Sequence, residues 1–312
     1  MSKTIIYIDG GAGRVIAAIP ALLKYHRLNP NREWYIIIPA WDGLLWSIPE
    51  LQDRTYGADT KGLWDNIVSK AEEILTPEPY RLPAYFRQEI GLVEGFDREI
   101  NKTTDHSDLV APCLTFNKSE EKWAANTLAD VKEQQKKSKT IIIQPFGRGA
   151  TLDRADVIDP ASRSLSPDAY ISLTKKLAAR YNMVFFGEQQ FQIVTDTYTI
   201  KLPPTTDLRM WAALIECADY FVGVDSVGQH MARAVGTPGT VIFGSTFPIN
   251  TSYPDYFQII EKEGAKKYSP IRITGLDSVL ADRHNDRMSD FDEEELTAIY
   301  NKIVEDIERK GT

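Results

Sequence analysis

The sequence predicts an α/β protein made of two similar α/β domains, each built on a parallel sheet. Short apolar runs bounded by Gly, Pro and Asp alternate with stretches of helical periodicity, which is the pattern of parallel sheets. The alternation starts at "TIIYID" (4–9) and begins afresh at "TIIIQPFG" (140–147), after the polar, finally basic stretch "KEQQKKSK". A chain of 312 residues is also too long for one ordinary core and suits two domains.

In the first series "TIIYID" reads as a buried strand entering a Gly-rich turn. "RVIAAIPALLKYHRL" (14–28) has helical periodicity, and "EWYIIIPA" (33–40) is a second strand. "GLWDNIVSKAEEIL" (62–75) predicts a helix, and residues 76–115 are mixed. The segment 119–139 predicts a polar helix whose basic end is a solvated terminus and linker. The second series runs strand 140–147, helix 166–181, strand 182–188, helix 207–218, strand 220–225, helix 227–236 and strand 239–245. Ser166 is the expected N-cap of its helix, with Pro167 in the first turn. The closing helix, 292–310, has an acidic start and a basic end that suit its dipole. The expected division is 1–138, 139–290 and a terminal helix at 291–312 that packs back towards the first domain.

Composition narrows the class. With 43% hydrophobic and 26% charged residues the chain is globular rather than disordered, and its net charge of −8 argues against a broad electrostatic grip on nucleic acid. Cys113 and Cys217, the two cysteines, lie far apart and fit no metal spacing. No apolar run has the length of a signal peptide core or a membrane span, so a soluble protein of the reducing cytoplasm is expected.

Ligands of open parallel sheets bind beyond the carboxyl ends of the strands. The loops to inspect are therefore 9–14, 147–164, 187–191, 225–228 and 244–250. In "DGGAGRV" the glycines allow a tight turn and expose amides where an anion is favoured. Gly11-x-Gly13 begins a dinucleotide fingerprint but Ile16 holds the third position, and no Gly-Lys-Ser/Thr follows for a P-loop. A plain strand–helix turn fits equally well. The long loop after Gly147 carries Arg148, Arg154 and Arg163, whose guanidinium groups suit phosphate. Arg154 reads as a solubilising residue, and Arg163, just before a helix, as a functional one. Glu188, beyond a strand-ending Gly, suits ribose hydroxyls or plain solvent. In "GVDSVGQHMA", Asp225 and Ser226 would serve as helix caps, but capping does not account for Gly228 and His230.

Together these pieces resemble glycosyltransferase family 9, the heptosyltransferase-like enzymes of the GT-B fold. "VGVDSVGQHMARAVGTPGTVIFGSTFP" is similar to the family's donor-site pattern, with Asp225, Ser226, His230, Ala232, Gly236, Pro238, Phe243, Gly244, Thr246 and Pro248 falling on it. "GRVIAAIPALLKY" resembles the N-terminal segment through Gly13, Val15, Pro20, Ala21 and Leu22, and in "IIIQPFGRGA…SRSLSPDAYISLTKKL" Arg163 falls on the family's phosphate-binding Lys or Arg. "RMSDFDEEELTAIYNKI" looks like the closing segment without its Cys. The likeness fades over residues 40–120.

The resemblance implies transfer of a sugar from a nucleotide-diphosphate-sugar co-substrate to an acceptor hydroxyl, inverting, with no metal and no other cofactor. The fold it implies is two Rossmann-like domains facing across a cleft, with the donor mainly on the second domain and the acceptor mainly on the first. By matching position, Asp225, Ser226 and Gly228 would line the donor sugar and phosphate region, Arg163 would contact the diphosphate and Glu188 the ribose, and Gly11, Gly13, Arg148, His230 and Thr246 are expected among the donor-binding residues as well. The sequence departs from the family directly after Gly13, where the family's presumed general base, an Asp, is replaced by Arg14. Arginine cannot act as a base. Asp9 takes over, or a carboxylate elsewhere does, or Arg14 grips phosphate in a protein that binds nucleotide sugars without transferring them. The acceptor is left open among glycans, lipid-linked sugars, small molecules and a modified nucleobase, and a monomer is expected. An epimerase or dehydrogenase-type domain is disfavoured by the incomplete fingerprint and the lack of a Tyr-x-x-x-Lys segment.

Overall fold

The computed structural model describes residues 3–147, 150–153, 156–159, 161–187, 200–201, 207–267 and 290–310. Strands β1 (Lys3–Tyr7), β2 (Glu33–Ile38), β3 (Thr55–Gly57) and β4 (Glu73–Leu75) form one parallel sheet in the order β3-β2-β1-β4. Helix α1 (Ala12–Leu28) follows β1 and presents Val15, Ile16, Ile19 and Leu22 to the sheet face that carries Ile6, Ile8, Ile36 and Ile38. Short helices α2 (Leu63–Asn66) and α3 (Pro83–Phe86) and the longer α4 (Leu92–Asn101) complete this half, with α4 packed along α1.

The expected helix at 62–75 is replaced by the single turn α2, a 3₁₀ turn and strand β4. Long-range pairing outweighs local helical periodicity here. Ile74 and Leu75 extend the sheet opposite Ile5 and Ile6, and Glu73 is held by Thr4 Oγ1 at 3.2 Å and by Arg32 at 2.7 Å. Ile67 closes a small apolar cluster with Ile5 and Ile37 on the outer face.

Helix α5 (Lys118–Gln135) is opened by Asn117, whose side chain accepts from the Ser119 and Glu120 amides while Glu120 returns a bond to the Asn117 amide. It leads into the second sheet. Strands β5 (Thr140–Gln144), β8 (Asn182–Phe185), β9 (Ile200–Lys201), β10 (Tyr220–Val224), β11 (Gly239–Phe243) and β12 (Gln258–Glu261) are parallel in the order β12-β11-β10-β5-β8-β9. Strands β6 (Thr151–Asp153) and β7 (Asp156–Ile158) form a separate antiparallel hairpin. Helices α6 (Pro167–Ala178), α7 (Leu208–Glu216), α8 (Val227–Val235), α9 (Pro248–Thr251) and α10 (Glu293–Lys310) surround the sheet. The two parallel sheets with flanking helices are the architecture expected from the sequence.

The terminal helix is a correction. It does not return to the first domain but packs on α6 in the second. Leu296, Ile299, Ile303 and Ile307 enter the core formed with Ile143, Tyr170 and Val222. Lys176–Glu293 and Arg180–Glu308 ion pairs flank it, and buried Asp306 accepts from the Tyr220 hydroxyl at 2.6 Å. The apolar stripe is thus satisfied locally. Among the described residues, no helix is long and apolar enough to cross a membrane.

Candidate active site between the two domains

The second-domain wall is built on the central strand β10. Asp225 follows its carboxyl end and is buried. Its Oδ2 accepts from the Thr246 hydroxyl at 2.8 Å and its Oδ1 from Gln229 Nε2 at 3.1 Å. Strand order explains the first contact, because β10 and β11 are neighbours and their following loops lie side by side. Strand β5 is the other neighbour and ends in Gln144. Gln144 Nε2 donates to Ser226 Oγ at 3.2 Å, and its Oε1 accepts from the Gly228 amide at 2.9 Å. Ser226 occupies the N-cap of α8 without bonding a helix amide, so Gln144 supplies the cap from the next strand. A Cβ on Gly228 would overlap Gln144 Oε1, so this glycine permits a close packing contact.

Arg163 is brought here by a loop that Asp159 organises. The buried Asp159 carboxylate accepts from the Ala161, Arg163 and Ser164 amides and from the Ser164 hydroxyl. Ser164 Oγ also accepts from the Gly147 amide at 2.9 Å, and Ser245 Oγ donates to the Ala161 carbonyl. Arg163 Nη1 then stands 3.9 Å from Asp225 Oδ2, and its Nε is buried with no hydrogen-bond partner among the described residues.

The first-domain wall begins where β1 ends. Gly10 takes φ +92°, and a Cβ there would press on Arg14 Cδ at 2.8 Å, so glycine is required on both counts. Arg14 is buried. Its Nη1 donates to Glu78 at 2.8 Å, its Nε to the Asp9 carbonyl at 3.1 Å, and its Nη2 reaches Asp9 Oδ1 and the Pro77 carbonyl at 3.5 Å. Its guanidinium lies 4.8 Å from the Tyr80 ring centroid and 5.4 Å from that of Phe96. Burial lowers its pKa, but Tyr80, Glu78 and Asp9 outweigh that and leave it raised, so the group is a fixed cation. The Asp9 side chain is half exposed at the mouth of the turn.

Several contacts join the walls. Gly13 meets His230, whose Cδ2 would lie 2.6 Å from a Cβ at position 13. The buried His230 bonds the Tyr253 hydroxyl through Nδ1 at 2.9 Å, and burial pulls its pKa down to about 4, keeping it neutral near pH 7. Asn250 Nδ2 donates across to the Tyr85 carbonyl at 2.6 Å. Arg209 of α7 forms a bidentate pair with Glu120 and donates to the Gly43 and Trp46 carbonyls.

Asp225, Ser226, Gly228, His230, Thr246 and Arg163 thus cluster on one wall, with Asp9, Gly11, Gly13 and Arg14 at the turn opposite. Gly11 is the exposed N-cap of α1. Arg148, Arg154 and Glu188 lie outside the described residues. Sequence reasoning missed Gln144, Asp159, Glu78 and Tyr85. Gln144 had a usable signal, as the polar residue ending an apolar strand. Glu78 had none, because the strand that delivers it reads as helix. Among the described residues, no group of three or more His, Cys, Asp or Glu side chains is arranged to hold a metal.

The fold and the paired walls define a GT-B-type protein, with two parallel α/β domains and a polar site between the carboxyl edges of their sheets. The model of glycosyltransferase family 9 (heptosyltransferase) matches residues 170–263. Over that segment, under a third of the chain, the protein is similar to this family. The fold is shared with a family 9 glycosyl transferase from Veillonella parvula, at TM-score 0.64 and 13% identity, over 98% of this chain and 97% of that one. It is shared also with the ADP-heptose lipopolysaccharide heptosyltransferase II of E. coli, at TM-score 0.57 and 16% identity, over 97% and 99%. A third similar structure is the iron-containing dodecameric glycosyltransferase TibC of enterotoxigenic E. coli H10407, at TM-score 0.58 and 12% identity, over 99% and 78%. No curated protein sequence matches the chain significantly.

Proposed function

We propose that the protein moves a sugar from a nucleotide-diphosphate-sugar held on the second domain to an acceptor hydroxyl held on the first, with inversion and without a metal. The observation that carries this reading is Asp225, buried and pinned by Thr246 and Gln229, with Arg163 beside it at 3.9 Å and its Nε without a partner among the described residues. A carboxylate suits sugar hydroxyls, and a guanidinium with a donor to spare suits a diphosphate.

In the step, the acceptor hydroxyl gives its proton to Asp9 as its oxygen bonds to the anomeric carbon. The bond from that carbon to the diphosphate oxygen breaks, and the electron pair leaves with the diphosphate, where Arg163 stabilises the charge. Asp9 is favoured as the base over Glu78 because its side chain is half exposed, whereas Glu78 is buried against Arg14. The donors of Arg14 are engaged within the first domain, which supports a role in positioning Asp9 rather than in gripping phosphate. The acceptor class stays as wide as the sequence leaves it: glycan, lipid-linked sugar, small molecule or nucleobase. A monomer acting in the cytoplasm fits this reading.

Release of nucleoside diphosphate from a panel of nucleotide sugars, with simple glycosides as acceptors, tests the activity. Asp9→Asn is expected to lower kcat by about 10²–10⁴-fold while leaving donor affinity nearly unchanged. Full turnover in that variant would reject Asp9 as the base, and a chain that binds no nucleotide sugar would reject the donor site.

A further inference from the structure

Where the two walls meet, the hydroxyl of Tyr85 is buried and has no hydrogen-bond partner among the described residues. The rest of the residue is firmly placed. Its ring centroid lies 5.3 Å from that of Tyr80, and its carbonyl accepts from Asn250 of the second domain. The hydroxyl lies within electrostatic reach of Asp225 from one wall and of Arg14 and Glu78 from the other. A buried polar group without a partner costs about 1–3 kcal/mol, and native proteins retain few of them. Phenylalanine would fill the same space without that cost, so packing does not account for the oxygen.

The chemistry narrows what the oxygen serves. Burial, reinforced by Tyr80 and Asp225, holds the phenol well above its ordinary pKa, so it keeps its proton and can both donate and accept. Asp225 only accepts, and each of its oxygens keeps a lone pair beyond the bonds from Gln229 and Thr246. An acceptor-only group and a donor–acceptor group on facing walls suit a polyol, whose hydroxyls can give to the first and exchange with the second. A diphosphate at the same point would face the charge of Asp225, while the Arg14 cation is already paired with Glu78 and Asp9. This step rests on the proposed donor site. We propose that Tyr85 contacts the transferred sugar from the first domain, opposite Asp225, and so helps decide which sugar is accepted.

Calorimetric titration of the full chain with UDP, GDP, ADP and dTDP, and with UDP-glucose, GDP-mannose, ADP-heptose and dTDP-rhamnose, tests this in three proteins: wild type, Tyr85→Phe and the control Tyr25→Phe. Tyr25 also has a buried hydroxyl without a partner among the described residues, but it sits against Trp34 within the first domain. The wild type should bind one nucleotide sugar more tightly than its diphosphate. Tyr85→Phe should keep the diphosphate affinity within about twofold and lose about 3–10-fold for the sugar-bearing form, the worth of one hydrogen bond. Its melting temperature without ligand should equal or exceed the wild-type value, and Tyr25→Phe should leave both affinities unchanged. Unchanged nucleotide-sugar affinity in Tyr85→Phe overturns the inference alone, as does an equal loss for diphosphate and sugar or a melting temperature several degrees lower. So does a wild type that binds a diphosphate and gains nothing from any attached sugar. A wild type that binds none of the probes overturns the donor site itself, and this inference with it.

Discussion

In the second domain Arg163 approaches Asp225 only to 3.9 Å and has a buried Nε with no partner among the described residues, whereas in the first domain Arg14 is held at 2.8 Å by Glu78 and caged by Tyr80 and Phe96. Both guanidinium groups stand near a carboxylate at the end of a central strand. Their burial and bonding suit them to opposite duties. A loosely paired arginine retains hydrogen-bonding capacity for a ligand, while a saturated one is part of the scaffold. Residue type and strand position alone do not separate the two cases.

The contrast can be broken by substitution. Arg14→Leu leaves Glu78 buried without its counter-charge, and urea unfolding should show a loss of about 3–5 kcal/mol. Arg14→Leu combined with Glu78→Gln should recover most of it, because removing both charges is far milder than stranding one. Arg163→Leu should change stability by less than about 1 kcal/mol and act on diphosphate affinity instead. If Arg14→Leu proves stable and loses affinity for diphosphate, the two arginines share one duty and the distinction falls.

The same contrast explains what could be read beforehand. The second wall is nearly local in sequence. Asp225 bonds Gln229 and Thr246, and His230 bonds Tyr253, all within one strand–helix–strand unit and the turn after it. A motif read along the chain therefore collects most of that wall. The first wall is made by distant pairs, Arg14 with Glu78 and Asn250 with Tyr85. Their partners arrive through β4 and α3, elements too short for a periodic signal. The 62–75 segment failed for that reason, since its helical pattern is overridden by pairing with β1. Alternating strands and helices made the two sheets legible. The seat of α10 was not, because an amphipathic stripe does not say which core it will join.

The walls also differ in what acid does to them, and His230 is the group to follow. It packs on Gly13 across the domain boundary, bonds Tyr253 and feels Asp225 and Arg163. Its pKa is held at about 4 by burial, below the ordinary 6.5. As the pH falls through 6.5 the unfolded chain gains a proton that the folded chain refuses until about pH 4. This contribution is therefore fully present above about pH 7, is lost between pH 6.5 and 4 to a total of about 3 kcal/mol, and does not change further below that. Melting temperatures from pH 7.5 to 4.5 should fall less steeply in His230→Gln than in wild type. Parallel curves would mean that the ring is protonated in place and that the domains do not rely on its neutrality.

The smallest expected effect concerns the cap that β5 lends to α8. Gln144 gives one hydrogen bond to Ser226 Oγ and takes one from the Gly228 amide, and the side chain is buried. Gln144→Leu keeps the approximate volume but leaves that amide and that hydroxyl without these partners, at a cost of about 1–2 kcal/mol. The loss should not be confined to stability. Gln229, which holds Asp225 Oδ1, sits in the first turn of the same helix, so a looser start to α8 loosens the carboxylate proposed to meet the sugar. Donor affinity should therefore fall together with the unfolding midpoint in Gln144→Leu. In Thr246→Val, which removes only the Oδ2 bond, affinity should fall with a smaller change in stability, because no helix cap is disturbed. An affinity that follows the midpoint in both variants would show that Asp225 depends on the fold as a whole rather than on the two side chains that hold it.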